Sequence, residues 1–225
     1  ISNNANEQVW LDGPGYAYWY NKARELDGDP IVFSDEVVQK MRDGVDGWGN
    51  TNWYKEMYGT GVKQHHNISA SGGNDKIKFF TTLGLYDEKG NLENYNYNRY
   101  NIRANIESQL TKTIHISLGV SGRLDNQSRP FFSADPDNWL NVPQQIVYSV
   151  PYIPKTMERN GETYYTSAPT SSSHVSPLGA VRESGYNNLK RMYIRTNFAV
   201  EYSPTWLEGL KFKFQGAYDI TDQFT

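Results

Sequence analysis

The chain contains no cysteine among its 225 residues, so disulfides, thiol catalysis and thiolate metal sites are excluded by chemistry. It holds no run of about 18 apolar residues, which removes a membrane-crossing helix but leaves crossing by strands untouched. No basic segment followed by an apolar one opens the chain, so an export signal, where one is needed, is expected upstream of it. A basic surplus is also missing. The 22 Lys and Arg against 25 Asp and Glu give a formal charge of −3, with no cluster able to neutralise a phosphate backbone, and nucleic acid is not an expected partner. A nucleophile elbow, a His-Glu-x-x-His helix and a phosphate-cradling glycine loop are all absent. The chain is therefore read as no enzyme, with no catalytic residue, no cofactor and no metal site.

What is present favours strands and ordered loops. Hydrophobic residues make up only 37% of the chain while aromatics reach 14%, with 17 Tyr beside 19 Gly and 10 Pro, a mixture unlike that of a helical bundle. The first sixty residues cluster Trp, Tyr, Gly and Pro and predict two short helices. One covers residues 16–26, and the other follows Ser34, an N-cap with Asp35 and Glu36 in the first turn. Residues 44–58, rich in Gly, Asn and Trp, read as an ordered surface loop.

From His66 onward the hydrophobic period becomes two, which assigns alternate side chains to opposite faces. In residues 99–110 one face carries Tyr100, Ile102, Ala104, Ile106, Ser108 and Leu110; the other carries Arg99, Asn101, Arg103, Asn105, Glu107 and Gln109. Residues 113–124, 191–202 and 210–220 repeat the pattern, with Ile116, Leu118 and Val120, then Ile194, Phe198 and Val200, then Phe212, Phe214 and Ile220 on the apolar side. Ile77, Phe79, Thr81, Leu83 and Leu85 give a fifth strand, and residues 66–71 a weaker first one.

Alternation alone does not separate lipid from a protein core, because one-sided antiparallel sheets in soluble sandwiches alternate too. Connection lengths add information. Residues 72–75 are a tight link, 87–98 a longer one, 111–112 tight, 125–190 very long and 203–209 short. Such alternation of short and long is expected when turns face the periplasm and loops face the exterior. The expected fold class is therefore all-β: an antiparallel meander of six long strands forming part of a transmembrane β-barrel, with short helices and long outer loops. The expected organisation is an outer loop region with two helices over 1–62, four strands over 63–124, a long extracellular loop over 125–189 and two further strands over 190–225. Within the long loop, Asn160-Gly161 predicts a small hairpin over residues 152–168.

Several words in the sequence resemble one family. Asn50-Thr51-Asn52-Trp53-Tyr54-Lys55-Glu56, then Gln64-His65-His66-Asn67-Ile68-Ser69-Ala70-Ser71-Gly72-Gly73, is similar to a stretch found early in the SusC/RagA-like TonB-linked outer-membrane proteins. The run from Lys78 to Gly90, followed by Tyr97-Asn98-Arg99-Tyr100-Asn101-Ile102-Arg103, resembles that family's next hairpin. Residues 16–23 and Phe33-Ser34-Asp35-Glu36 are similar to the region just before it, and the likeness covers residues 10–125 best. The resemblance implies a bacterial outer-membrane TonB-dependent receptor with a barrel of about 22 strands and a plugged lumen. It also implies active import of a large nutrient, an oligosaccharide or a peptide, aided by a SusD-like surface lipoprotein and energised through TonB. The expected partners are that lipoprotein, TonB acting on a region outside this chain, the ligand and outer-membrane lipid. The alternative reading is a soluble β-rich cell-surface carbohydrate-binding module, which needs a second sheet to cover the apolar faces.

Candidate residues fall into two sets. Arg99, Arg103, Glu107, Arg123, Arg191 and Arg195 line the polar faces and are expected in the lumen, either meeting a solute or plug, or holding a hydrated wall together by ion pairs. The outer-loop aromatics Trp10, Tyr16, Trp19, Trp48, Trp53, Trp139, Tyr164 and Tyr165 could stack on a sugar ring, and Trp10, Trp48, Trp53, Trp139, Tyr164 and Tyr165 are the candidate ligand or partner contacts, although the same rings could anchor the loops to each other. His65 and His66 are adjacent, point to opposite faces of a strand and do not make a metal pair. Asp27-Gly28-Asp29 and Asp135-Pro136-Asp137-Asn138 read as turns rather than calcium loops.

Overall fold

Residues that alternate between apolar and polar need an extended backbone with a neighbour on each side, and the chain supplies six such segments in succession. A computed structural model describes residues 10–133, 141–167 and 175–224, so Trp139, the 135–138 turn and the end of the predicted hairpin at Ala168 lie outside the described residues. The strands are β1 (Val62–Gly73), β2 (Ile77–Lys89), β3 (Asn96–Gln109), β4 (Ile114–Pro130), β5 (Thr156–Arg159), β6 (Glu162–Tyr165), β7 (Tyr186–Tyr202) and β8 (Phe212–Phe224). One six-stranded sheet runs in the order β1-β2-β3-β4-β7-β8, and β5 pairs with β6 separately. The pairs β1–β2, β2–β3, β3–β4 and β7–β8 are antiparallel, and Ile68, Leu83 and Ile102 share one row and face one way.

The strands run further than the apolar pattern does. β4 continues through Asp125 to Pro130 and β7 begins at Tyr186, so the long connection is shorter than the 125–190 expected from hydrophobicity. The reason is physical: pairing continues past the apolar band into polar residues such as Asn98 opposite Asn126, where alternation no longer shows as hydropathy. Tight turns at the other end are made by side chains that replace backbone partners. Asn74 Oδ1 accepts from the amides of Lys76 and Ile77 at 2.9 and 3.0 Å, and Thr111 Oγ1 accepts from Thr113 and Ile114 at 3.2 and 3.1 Å.

The chain divides into two units. One holds the six strands (62–89, 96–128 and 188 onward) and the other gathers the described parts of the first 61 residues, 90–95 and 129–187. Five helices belong to the second. They are α1 (Gly13–Leu26), α2 (Asp35–Asp43), α3 (Trp53–Met57), α4 (Val142–Tyr148) and α5 (Pro177–Arg182). Asp12 caps α1, Ser34 caps α2 as the sequence leads one to expect, and Gly44 ends α2 with a φ of 68°. The 44–58 stretch read as a surface loop instead contains α3, which opens on the Asn52 cap and buries Trp53 and Met57. This helix has only five residues, too few to show a period.

Two small cores hold this unit. Trp53, Met57, Leu92, Val142, Ile146, Ile153, Leu178 and Val181 form one, with Trp53 2% exposed. Ala17, Phe33 and Met41 form the other, with Tyr16, Trp48 and Tyr152 packed around them. Hydrogen bonds to backbone carbonyls tie distant segments together: Gly49 N donates to Tyr152 O at 2.9 Å, Thr51 N to Pro151 O at 2.8 Å, and the Thr51 hydroxyl to Ile153 O at 2.7 Å. Residues 90–95 are fixed in the same unit by Leu92 in the core, by Asn94 Nδ2 to Val181 O at 3.0 Å and by the Glu93–Arg182 pair at 3.0 Å.

Candidate functional site

The six-stranded sheet has two chemically opposite faces. One presents Ile68, Leu83, Ile102, Phe198, Val200 and Phe214 among others, every one of them between 38% and 74% exposed. A soluble protein rarely leaves so much contiguous apolar surface open, at a cost of about 25 cal/mol for each Å² kept in water. Among the described residues the remaining paired strands are β5 and β6, four residues each, too small to cover it. On β7 the apolar positions from Met192 to Tyr202 extend about 33 Å along the strand, or about 25 Å after a tilt of roughly 40°, which is the height of a barrel's lipid-facing band. Rings fill the gaps at glycines: a Cβ on Gly72 would meet Phe79 at 3.0 Å, and one on Gly216 would meet Phe198 at 2.6 Å. Both glycines lie on the edge strands β1 and β8, where such aromatic cover pins the register.

The other face is mostly polar, with Phe80, Ala199 and Ala217 as its apolar positions, and is organised by cross-strand contacts. Lys63 pairs with Glu88 at 3.1 Å, and Tyr86 donates to the same carboxylate at 2.6 Å. The Arg99 guanidinium lies 5.2 Å from the Tyr86 ring centre. Asp125, 6% exposed, accepts from Tyr97 at 3.0 Å and from Arg123 in a two-pronged contact at 2.8 and 2.6 Å. Arg123 in turn covers the Tyr193 ring at 5.2 Å. Further along, Arg195 meets Asp219 at 3.1 Å, Arg191 donates to Gln223 at 2.8 Å and Glu201 meets Lys213 at 2.9 Å. Sequence reading named the arginines but missed Tyr86, Tyr97 and Asp125 as their partners. The parity of the strands carried that signal, had it been followed past the apolar band.

His65 falls on the polar face beside Tyr86, whereas His66 lies in the row of Leu85 on the apolar face, so one strand separates the two imidazoles. Asp27 caps the end of α1, Gly28 has a φ of 81° and Asp29 pairs with Arg24 at 3.1 Å, which makes that stretch a turn.

The loop aromatics divide by exposure. Trp53 is inside the core with its indole N–H donated to Val150 O at 3.0 Å, so neither of its faces is open to a ligand. Trp48 packs on Phe33 and Tyr152 at 6.2 and 5.9 Å between ring centres, and Trp10 stacks on Tyr54 at 6.0 Å. Tyr165 packs against the first core, while Tyr164 is 48% exposed and donates to Glu162 at 2.7 Å. The most open aromatic pair in α1 is Tyr18 and Trp19, 61% and 59% exposed, which meet edge to face at 5.2 Å. In this unit burial pushes the phenols of Tyr16, Tyr58 and Tyr152 above their ordinary value, with neighbouring tyrosines adding to the effect.

Comparison with known proteins follows the same lines. No family model matches the chain. It is 25% identical over 169 residues, 75% of its length, to TonB-dependent receptor P3 of Formosa agariphila. It is 24% identical over 80 residues, 36% of its length, to TonB-dependent receptor SusC of Bacteroides thetaiotaomicron. The chain resembles part of a SusC-like TonB-dependent receptor. A structure of the RagAB peptide transporter matches 95% of this SusC-like chain with a TM-score of 0.64 at 18% identity, which establishes a shared fold. The fold is thus an antiparallel six-stranded meander with short helices, similar to part of the RagAB chain. This chain spans 16% of the Formosa receptor's length, 8% of SusC's and 26% of the matched RagAB chain.

Proposed function

We propose that this chain supplies wall and outer loops to a TonB-dependent outer-membrane transporter that imports large nutrients, oligosaccharides or peptides, together with a SusD-like surface lipoprotein. The observation that carries the reading is the open apolar face across six strands of bilayer-crossing length, backed by an equally continuous polar face. In this reading the apolar face meets outer-membrane lipid. The polar face, with Arg99, Arg103, Glu107, Arg123, Arg191 and Arg195, borders the lumen, and residues 90–95 and 129–187 belong to the exterior. The names SusC and RagAB peptide transporter support a lipoprotein partner and a glycan or peptide cargo. TonB acts through parts of the receptor outside this chain. The chain's own role is positional: no bond is made or broken by it. Among the loop aromatics, Tyr18, Trp19 and Tyr164 have open faces and are the ones we assign to ligand or partner contact, with Trp10, Trp48 and Tyr165 bracing them. A soluble carbohydrate-binding module requires a sheet over the apolar face, and nothing among the described residues supplies one.

The test is lipid exposure in the full-length protein. The chain has no cysteine, so single cysteines are easily introduced at Ile102, Ile116 and Phe198 and at Arg103, His115 and Asn197. Fluorophores at the first three positions should be strongly quenched by bilayer-borne quenchers and those at the second three weakly. Equal quenching of the two sets would remove the membrane from the account.

A further inference from the structure

We propose that the loop-side half of the polar face, from the loop end down to and including the mid-strand row of Arg103, selects anionic solutes, oligomers that carry carboxylates; this rests on the transporter reading above. Three ion pairs on that half neutralise themselves: Lys63–Glu88, Arg123–Asp125 and Arg195–Asp219. Three arginines are left over. Arg99 has a tyrosine ring for its neighbour, Arg191 a neutral glutamine, and Arg103 no partner among the described residues. The Arg99 Nε is out of contact with water and without an acceptor. A wall that only held itself together by ion pairs would not need these three.

The turn-side half of the same face differs. There Glu201 meets Lys213, and Lys78 stands opposite Glu107 in the register, so cations and anions balance. The surplus thus runs from the end of the sheet where β2 gives way to residues 90–95, which holds Arg99 and Arg191, to the mid-strand row in which Arg103 stands between Thr82 and Ser121. Arg103 opens into a groove of about 490 Å³ that is also lined by Arg123, by the Arg195–Asp219 pair, and by Asn67, Asn101 and Ser121, so one carboxylate and three guanidinium groups border it. Gly84 is its flat floor, since a Cβ there would meet Asn67 Oδ1 at 2.7 Å and Asn101 Nδ2 at 3.2 Å. Amides and hydroxyls can serve the neutral atoms of an extended oligomer while the guanidinium takes its carboxylate. Unpaired cations in a low-dielectric cleft also focus the field and raise the rate at which anions arrive.

The experiment uses the full-length protein in nanodiscs and measures association of four probes: tetraglutamate against tetraglutamine, and tetragalacturonate against maltotetraose. At low ionic strength at least one acidic probe should associate about tenfold or more faster than its neutral counterpart, and lose that advantage at about 1 M salt, where the screening length falls to about 3 Å. Which acidic probe gains distinguishes a peptide source of the carboxylate from a sugar source. The triple variant Arg99→Gln, Arg103→Gln, Arg191→Gln should lose the advantage, and the corresponding triple Lys variant should keep it, which separates charge from folding. Equal rates for acidic and neutral probes, no association of either acidic probe, or a Gln variant that slows all four alike would each overturn the proposal. The bilayer-quenching pattern is read on the same protein. If that pattern holds while charge selectivity is absent, the selectivity proposal fails and the transporter reading stands.

Discussion

Gly49 illustrates how narrowly a single residue can be fixed. A methyl group there would lie 2.4 Å from Pro154 N and 2.6 Å from the Ile153 carbonyl carbon, both backbone atoms with little freedom to retreat. Gly49→Ala should therefore destabilise the loop unit by about 1–3 kcal/mol, seen as faster limited proteolysis of the full-length protein. An unchanged cleavage rate would show that the two segments do not touch. Trp53 sits in the same region at 2% exposure, and Trp53→Ala should cost about 3–5 kcal/mol, whereas Trp53→Phe keeps most of the volume and should cost less. The phenols of Tyr16, Tyr58 and Tyr152 provide a pH test. Burial, the largest cause, holds them above their ordinary value, so each stays protonated in the folded unit where the unfolded chain has begun to ionise. Their contribution is whole below about pH 10 and is lost as pH climbs through the folded values. Near-ultraviolet circular dichroism of the loop aromatics should fade in that alkaline window, and a flat signal through it would contradict the packing of those rings.

At the scale of elements, the hairpin of β5 and β6 turns on Asn160 and Gly161, with φ of 56° and 80°, the left-handed pair that a two-residue turn demands. Gly161→Val should cost about 1–2 kcal/mol and raise amide exchange across the hairpin, because a branched side chain resists positive φ. On β3, Ile102→Arg should destabilise the inserted protein by about 2–4 kcal/mol if that face meets lipid, while Arg103→Ala next to it should change stability little. Equal effects from the two would reverse the assignment of faces. These elements also show what was legible beforehand. Alternation in residues 99–110 needed only the period of two, and Asn160-Gly161 and the Ser34 cap are short-range signals that carry their own geometry. The helices α3, α4 and α5, of five, seven and six residues, are too short for any period. Their signals were caps instead: Asn141 before Pro143 and Ser176 before Pro177 place a side-chain acceptor ahead of an early proline. Helix α1 begins at Gly13, three residues ahead of the expected start, on the Asp12 cap followed by Pro14. As for the site, the arginine face was readable from parity, but its pairing with Tyr86, Tyr97 and Asp125 depends on which strands are neighbours, and that is a property of the sheet.

In the whole molecule, β1 and β8 are edges whose outward-pointing backbone groups have no partner strand among the described residues. In a closed barrel they pair with strands from the rest of the receptor, which the relatives' greater length can supply. The loop unit has its own constraint. Thr51 bonds a carbonyl 102 residues later, and Trp53 one 97 residues later, so the partners of the first segment are made long after it. Closing a loop of that size costs chain entropy that no local contact returns, and it slows folding. A chain delivered from its N-terminus would therefore present Trp53 and Met57 uncovered until the 142–181 stretch arrives. During that interval the segment carries bare apolar surface, and the length of its exposure is set by how fast the rest of the chain is delivered.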